Sequence, residues 1–307
     1  MPKLYSVVVP AHNEGENLPL LLEHLSAEFQ NLQWELVIVN DGSSDNTFDV
    51  AKTLTQKDKR VRLLSFSRNF GKEPALLAGL RAAKGDAVII MDADLQHPPQ
   101  VARQLIDCHE RTGADQVIAK RNRKGDGAIR TGFSRLFYFL INKLATVRLT
   151  DGEGDFRLLS RAALDSLLSL PEHNRFSKGL YSWIGYPSEV ISYDNAPRAH
   201  GETNWSMRGL VNYALTGVIG FSAKPLRMIS WIGMFGIFLA VIYLIWLLIR
   251  WALNGVEVSG YLTTIGIIVL IGSILMTSLG VIAEYVARIF EEVKNRPDYI
   301  IAEDIHQ

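Results

Sequence analysis

Apolar residues in the first third of the chain fall into short uninterrupted runs separated by stretches of helical spacing. Tyr5 to Pro10, Glu35 to Asn40, Val61 to Phe66 and Ala87 to Met91 read as strands buried on both faces, since little in them alternates with polar residues. Between them Leu18, Leu21, Leu22 and Leu25 recur at helical spacing, with Asn17 as the N-cap and Pro19 inside the first turn. Helices are also predicted over 46–55 and 74–83. This alternation predicts an α/β fold on a parallel, doubly wound sheet, with ligands at the carboxyl ends of its strands. A helix over 176–183 and an edge strand over 190–193 are expected to cover that end.

The pattern changes near residue 228. Ile229 to Ile249 and Tyr261 to Ala283 carry no charge, and each matches the about 20 residues that cross a bilayer as a helix. The spans are expected at about 229–250 and 260–283. Lys224, Arg227, Arg288, Lys294 and Arg296 flank their outer ends, while Arg250 and Glu257 nearly cancel between them. The positive-inside rule then predicts both termini in the cytoplasm and a short hairpin outside. Trp231, Trp246, Trp251 and Tyr261 suit interfacial anchors. Phe133, Leu136, Phe137, Leu140, Ile141 and Leu144 form an apolar stripe among Arg130, Arg135, Lys143 and Arg148, as in a helix lying in the membrane interface. The expected organisation is a cytoplasmic catalytic domain over 1–207, including an interface helix at 130–147. A juxtamembrane amphipathic helix at 208–227, a transmembrane hairpin at 228–284 and a cytoplasmic tail at 285–307 follow.

Composition narrows the classes. The 307 residues carry a formal net charge of zero, which gives no basic face for nucleic acid. Cys108 is the only cysteine, so no internal disulfide forms and a reducing compartment is permitted. The N-terminus runs directly into a strand and lacks a signal-peptide layout.

The chemistry concentrates after the fourth strand, in Asp92-Ala-Asp94-Leu-Gln96-His97-Pro98-Pro99. In an extended segment side chains two apart point the same way, so Asp92 and Asp94 are expected to face one site, with Gln96 adding a carbonyl oxygen. Hard oxygen ligands suit Mg²⁺ or Mn²⁺, the more so when substrate phosphates complete the shell. His97 is left outside this set. Asn13, Asp41, Lys72, Asp92 and Asp94 all fall on loops at strand carboxyl ends. Those loops lack both the dinucleotide and the P-loop patterns. Asp41 can accept hydrogen bonds from a nucleotide or close an Asx turn before Gly42. Lys72 can meet a diphosphate or stand solvated. Arg130 and Ser134 share a helix face and, with Arg121, can clamp a phosphate.

Six pieces in order carry a family likeness: Val8-Val-Pro10-Ala-His-Asn13-Glu14, Asn40-Asp41-Gly-Ser-Ser-Asp45, Arg68-Asn-Phe-Gly-Lys72-Glu-Pro-Ala, Asp92-Ala-Asp94-Leu-Gln96, Gly154-Asp155-Phe-Arg157-Leu and Lys294-Asn-Arg296-Pro. Together they resemble the family 2 glycosyltransferases of GT-A fold, in the polyprenyl-phosphate branch of the dolichyl-phosphate mannose synthases and bactoprenol glucosyltransferases. Asn40 departs from the pattern, where many relatives carry a second Asp.

The resemblance implies a GT-A doubly wound domain, amphipathic interface helices and two transmembrane helices. It implies inverting transfer of a hexose, with UDP-glucose favoured, to undecaprenyl phosphate at the inner leaflet, for envelope or O-antigen glycosylation. Pro10, Ala11, Asn13, Glu14, Asp41, Lys72 and Asp92 would hold the nucleotide. Asp92, Asp94 and Gln96 would hold Mg²⁺ or Mn²⁺, placing Asp94 with Asp155 in the catalytic set. Asp155 lies beside the acceptor in relatives, as general base or as a positioning group. Arg121, Arg130, Ser134 and Arg198 would meet phosphate on the acceptor side. The same loops would serve mannose, N-acetylglucosamine, galactose or an aminoarabinose derivative. A lipid-binding scaffold is the non-enzymatic alternative, against which Asp92 and Asp94 argue. Self-association is left open.

Overall fold

The computed structural model describes residues 3–122, 142–143, 153–194, 222, 224–254 and 260–306. All of the expected interface helix except residues 142–143, the segment holding Arg198 and all of 208–223 except Ser222 lie outside the described residues, as do Arg130 and Ser134.

The N-terminal part opens as the pattern predicts, with β1 (Leu4–Ala11), α1 (Asn17–Glu28), β2 (Gln33–Asn40), α2 (Thr47–Lys57), β3 (Val61–Phe66), α3 (Lys72–Ala82) and β4 (Ala87–Ile90). Then come α4 (Pro99–Thr112), β5 (Gln116–Asn122), β6 (Glu153–Ser160), α5 (Arg161–Leu168), α6 (Ser177–Trp183) and β7 (Ser188–Asp194). Strand side chains alternate between two cores. Val7, Val9, Leu36, Ile38 and Ile89 pack with Leu18, Leu21 and Leu25 of α1 and Leu105 of α4. Val8, Val37, Val39, Val88 and Ile90 pack with Leu76 and Leu80 of α3 and Leu164 of α5. Burial on both faces is why these strands read as continuous apolar runs.

One helix start departs from expectation. Asn17 is the first helical residue of α1 rather than its cap, and no side chain caps that end. Its amide donates instead to the Glu14 carboxylate, which fixes the loop leaving β1.

The eight-stranded sheet has the order β7-β5-β6-β4-β1-β2-β3-β8, with β8 at Ile301–Ile305. It is mixed, where a parallel sheet was expected. Strands β4, β1, β2 and β3 pair in parallel. The β4–α4–β5 crossover leaves one position empty, and β6 fills it antiparallel to both neighbours. A strand running the other way begins where β4 ends. Ile90 pairs with Arg157, so continuing the register sets Asp155 opposite Asp92. Strand β8 closes the far edge antiparallel to β3.

Two long helices, α7 (Lys224–Asn254) and α8 (Tyr261–Lys294), contain the expected spans. Among the described residues no part of their apolar stretches is buried, and Trp231, Phe235, Ile268 and Met276 stand exposed. Such a surface fits hydrocarbon. With 34 residues, α8 extends about 50 Å at 1.5 Å per residue, against about 30 Å of bilayer core. It ends at Asn295 in the left-handed conformation. The chain then turns back to the eight-stranded sheet, stacking Tyr299 on Phe66 at 5.0 Å before forming β8.

Candidate active site

The site lies at the carboxyl ends of β1, β2 and β4 and the start of β6. Two loops are laced together first. The Asn13 N–H donates to Ser43 Oγ at 3.0 Å, and Ser44 N–H donates to Asn13 Oδ1 at 2.9 Å. Glu14 N–H donates to Thr47 Oγ1 at 2.8 Å. Asn13 takes the left-handed conformation, which asparagine tolerates. Pro10 and Ala11 precede it as the last residues of β1.

Asp41 is buried, and its two oxygens accept the N–H groups of Phe70 and Gly71 at 2.7 and 2.9 Å. Its first role is therefore to shape the loop that carries Lys72. Gly42 makes that packing possible, having a φ of 57° and standing where a Cβ would fall 2.3 Å from the Arg68 backbone. Asn40 also has a physical account. Its amide donates to Ser65 Oγ at 3.0 Å while its oxygen accepts Ser43 N–H at 3.2 Å. A carboxylate here could not donate, and would meet Ser65 only by accepting its O–H.

Lys72 opens α3 and joins two acids. Its ammonium lies 2.7 Å from Asp92 Oδ1 and 3.2 Å from Asp155 Oδ2, with 41% of its side chain open to the cleft. Burial works against each charge, but the two carboxylates outweigh it and raise Lys72 above its ordinary value. Burial likewise pushes Asp92 up, and Lys72 with His97 overrides it, holding Asp92 well below the carboxylate range. For Asp155 burial and the Asp92 charge push upward, while Lys72, Lys178 and Arg157 prevail and lower it. Among the described residues Asp155 Oδ1 is buried without a hydrogen-bond partner. Arg157 supports this acid from below, donating to Gly154 O at 2.8 Å with its guanidinium 3.9 Å from the Tyr181 ring centre.

Asp92 and Asp94 do not continue a strand. Residues 93–95 turn, and Leu95 has a φ of 59°. Asp94 is buried and accepts Gln96 N–H at 3.1 Å, so the turn, not an extended run, sets this pair. Among the described residues no three His, Cys, Asp or Glu side chains converge on a metal position. Two carboxylates and an amide oxygen nonetheless suit a hard cation that takes its other ligands from a diphosphate. The donor set fits.

Sequence reasoning missed several partners. His97 lies 3.5 Å from Asp92 Oδ2 through Nε2, and its Nδ1 meets Tyr193 OH at 2.8 Å. His97 stands beside the acids in the sequence and Tyr193 falls in the edge strand expected over 190–193, but nothing in the sequence specifies their contact. Glu73, beside Lys72, holds Ser177 at the start of α6. Arg121 is paired with Tyr193 across β5 and β7 and is the one acceptor-side candidate among the described residues.

The family profile "Glycosyl transferase family 2" matches residues 6–168. The chain belongs to glycosyltransferase family 2. A second profile, "GtrB C-terminal hairpin", matches 224–289. This family 2 glycosyltransferase is 47% identical to CsbB of Bacillus subtilis over 302 residues, which is 98% of this chain and 92% of that one. It is 42% identical over 300 residues to the SfII prophage-derived bactoprenol glucosyl transferase of Shigella flexneri, covering 96% of each. Among solved structures it shares its fold with glucosyl-3-phosphoglycerate synthase from Mycobacterium tuberculosis, in complex there with Mn²⁺, uridine diphosphate and phosphoglyceric acid. That likeness has a TM-score of 0.51 at 22% identity, over 71% of this chain and 76% of the other.

Proposed function

We propose that this glycosyltransferase moves glucose from UDP-glucose to undecaprenyl phosphate, with inversion, at the cytoplasmic leaflet. One relationship supports the reading most. The antiparallel β6 brings Asp155 to the Lys72–Asp92 pair, in a chain ending in a hairpin of GtrB type and resembling bactoprenol glucosyl transferases along nearly its whole length.

Pro10, Ala11, Asn13, Glu14 and Asp41 frame the nucleotide in this reading, and Lys72 neutralises its diphosphate. Asp92, Asp94 and Gln96 would hold Mg²⁺ or Mn²⁺, which stabilises negative charge developing on the leaving diphosphate. The acceptor's phosphate oxygen forms the new bond to the sugar's anomeric carbon as the bond to UDP breaks on the opposite face, which inverts the centre. Arg121, Arg130, Ser134 and Arg198 are assigned to phosphate on the acceptor side. Asp155 positions the acceptor rather than taking a proton from it. A phosphate monoester with a second pKa of about 6 is already mostly dianionic at neutral pH. A carboxylate held low by Lys72 and Lys178 is also a weak base.

The two apolar helices anchor the enzyme, with the catalytic part on the side of the basic flanks and the short connection outside. The product would be a lipid-linked glucose for envelope or O-antigen glycosylation. Purified full-length protein in detergent, offered radiolabelled UDP-glucose, UDP-galactose, UDP-N-acetylglucosamine or GDP-mannose with undecaprenyl phosphate, should place lipid-extractable label chiefly from UDP-glucose. Stronger labelling from another donor corrects the sugar; none from any donor removes the reading.

A further inference from the structure

The turn leading into α6 is held at both ends. At its start the His173 N–H lies 3.1 and 3.2 Å from the two carboxylate oxygens of Glu292, and Asn174 N–H donates to the same group at 3.0 Å. The His173 ring meets Asp298 Oδ1 at 2.7 Å and Asn295 Oδ1 at 3.2 Å. These partners belong to the last turn of α8 and the residues that follow it. In the middle, buried Arg175 donates to the carbonyls of Leu170 and Leu167 at 3.1 and 3.3 Å. At its end Ser177 donates to the Glu73 carboxylate through both N–H and Oγ. Glu73 follows Lys72, whose ammonium joins Asp92 and Asp155.

We propose that the His173–Ser177 turn is a strut through which the seating of α8 in the membrane sets the geometry around Lys72 and Asp155, with His173 and Glu73 as positioning residues. The inference rests on the reading of the lipid phosphate as acceptor. The bilayer fixes the depth of that phosphate and, through α8, the height of the strut. A cleft tied to α8 therefore meets the phosphate at a set distance, whereas a misplacement of about 1 Å can cost about 10²-fold in rate. The tail reinforces the tie, because Tyr299 stacks on Phe66 just beyond Asp298.

The test uses the full chain in nanodiscs of phosphatidylethanolamine and phosphatidylglycerol. His173→Ala and Glu292→Ala should lower kcat/KM for undecaprenyl phosphate by about two- to thirtyfold, the range for residues that couple sites without touching ligand. The KM for UDP-glucose should rise less than that for undecaprenyl phosphate, since the strut reaches the donor only through Lys72. Glu292→Gln keeps an oxygen for the two N–H groups and should recover most of the loss. Amide exchange at Ser177 and the first turn of α6 should quicken in both alanine variants. A His173→Ala, Ser177→Ala double-mutant cycle should be non-additive. Equal losses for both substrates, failure of Glu292→Gln to recover, or unchanged exchange at Ser177 would each overturn the strut. If wild type transfers no glucose the assigned reaction falls, and the exchange measurement still decides the strut. If His173→Ala does not fold, the two Glu292 variants decide it.

Discussion

Asp155 Oδ2 stands 3.2 Å from the ammonium of Lys72, which also lies 2.7 Å from Asp92 Oδ1. One cation thus sits between an acid at the end of a parallel strand and an acid at the start of an antiparallel one. The pair keeps Asp155 ionised, since Lys72 with Lys178 overcomes burial.

An ionised positioning acid has a kinetic signature. Asp155→Asn should reduce kcat by about 10²-fold or less, the lower end for loss of a general base. The residual rate should follow the acceptor phosphate's own titration near pH 6. Rate profiles of wild type and variant check this. A loss beyond about 10⁴-fold with donor binding unchanged, where the phosphate is fully ionised, would restore Asp155 as the base.

The candidate metal acids are tested by charge removal. Asp92→Asn and Asp94→Asn should each abolish transfer with the circular dichroism spectrum retained, because each takes an anionic ligand from a dication. Titration calorimetry with Mn²⁺ and UDP should show weakened binding in both variants. Full wild-type activity in EDTA would exclude the assignment.

Glu73 makes stability depend on pH. Burial, then the Asp155 charge, lifts its carboxyl from 4.5 to about 7 against the pull of Ser177 and Lys72. The folded protein therefore binds this proton more tightly than the unfolded chain. That contribution is complete below about 4.5 and is lost as pH rises through about 7. Glu73→Gln keeps an acceptor for Ser177 without the titration. Its Tm relative to wild type should climb between pH 4.5 and 8, as read by scanning fluorimetry; a flat difference would place Glu73's proton elsewhere.

Gly42 tests the loop under Lys72. With a φ of 57° and the Arg68 backbone where its Cβ would stand, Gly42→Ala should destabilise by about 1–3 kcal/mol. It should also raise the donor KM, since Asp41 next to it shapes the Phe70–Gly71 turn. Chemical denaturation and donor kinetics check both. An unchanged donor KM would mean that the loop does not report on the nucleotide.

The sequence by itself determined the features that depend on local pattern. Continuous apolar runs specified β1 to β4, because strands covered on both faces tolerate little polar alternation. Charge-free lengths specified α7 and α8, because the bilayer sets a minimum. Asp41, Lys72, Asp92 and Asp94 were legible as strand-end residues on the same grounds. The rest required partners distant in the chain. Whether β6 runs with or against β4 depends on which sheet position the β4–α4–β5 crossover leaves empty, and that direction alone puts Asp155 across from Asp92. The Asp92–Asp94 pair depends on a turn with Leu95 in a left-handed conformation, which an Asp-x-Asp spacing does not encode. The same holds for residues 301–305, expected as part of a tail, whose backbone finds its hydrogen bonds on the open edge of β3. Glu292 and His173 meet only because α8 outlasts the membrane and returns its end to the catalytic sheet. Pairing direction and long-range contact are set by the whole chain's competition for sheet edges and hydrogen bonds, which no local window of sequence contains.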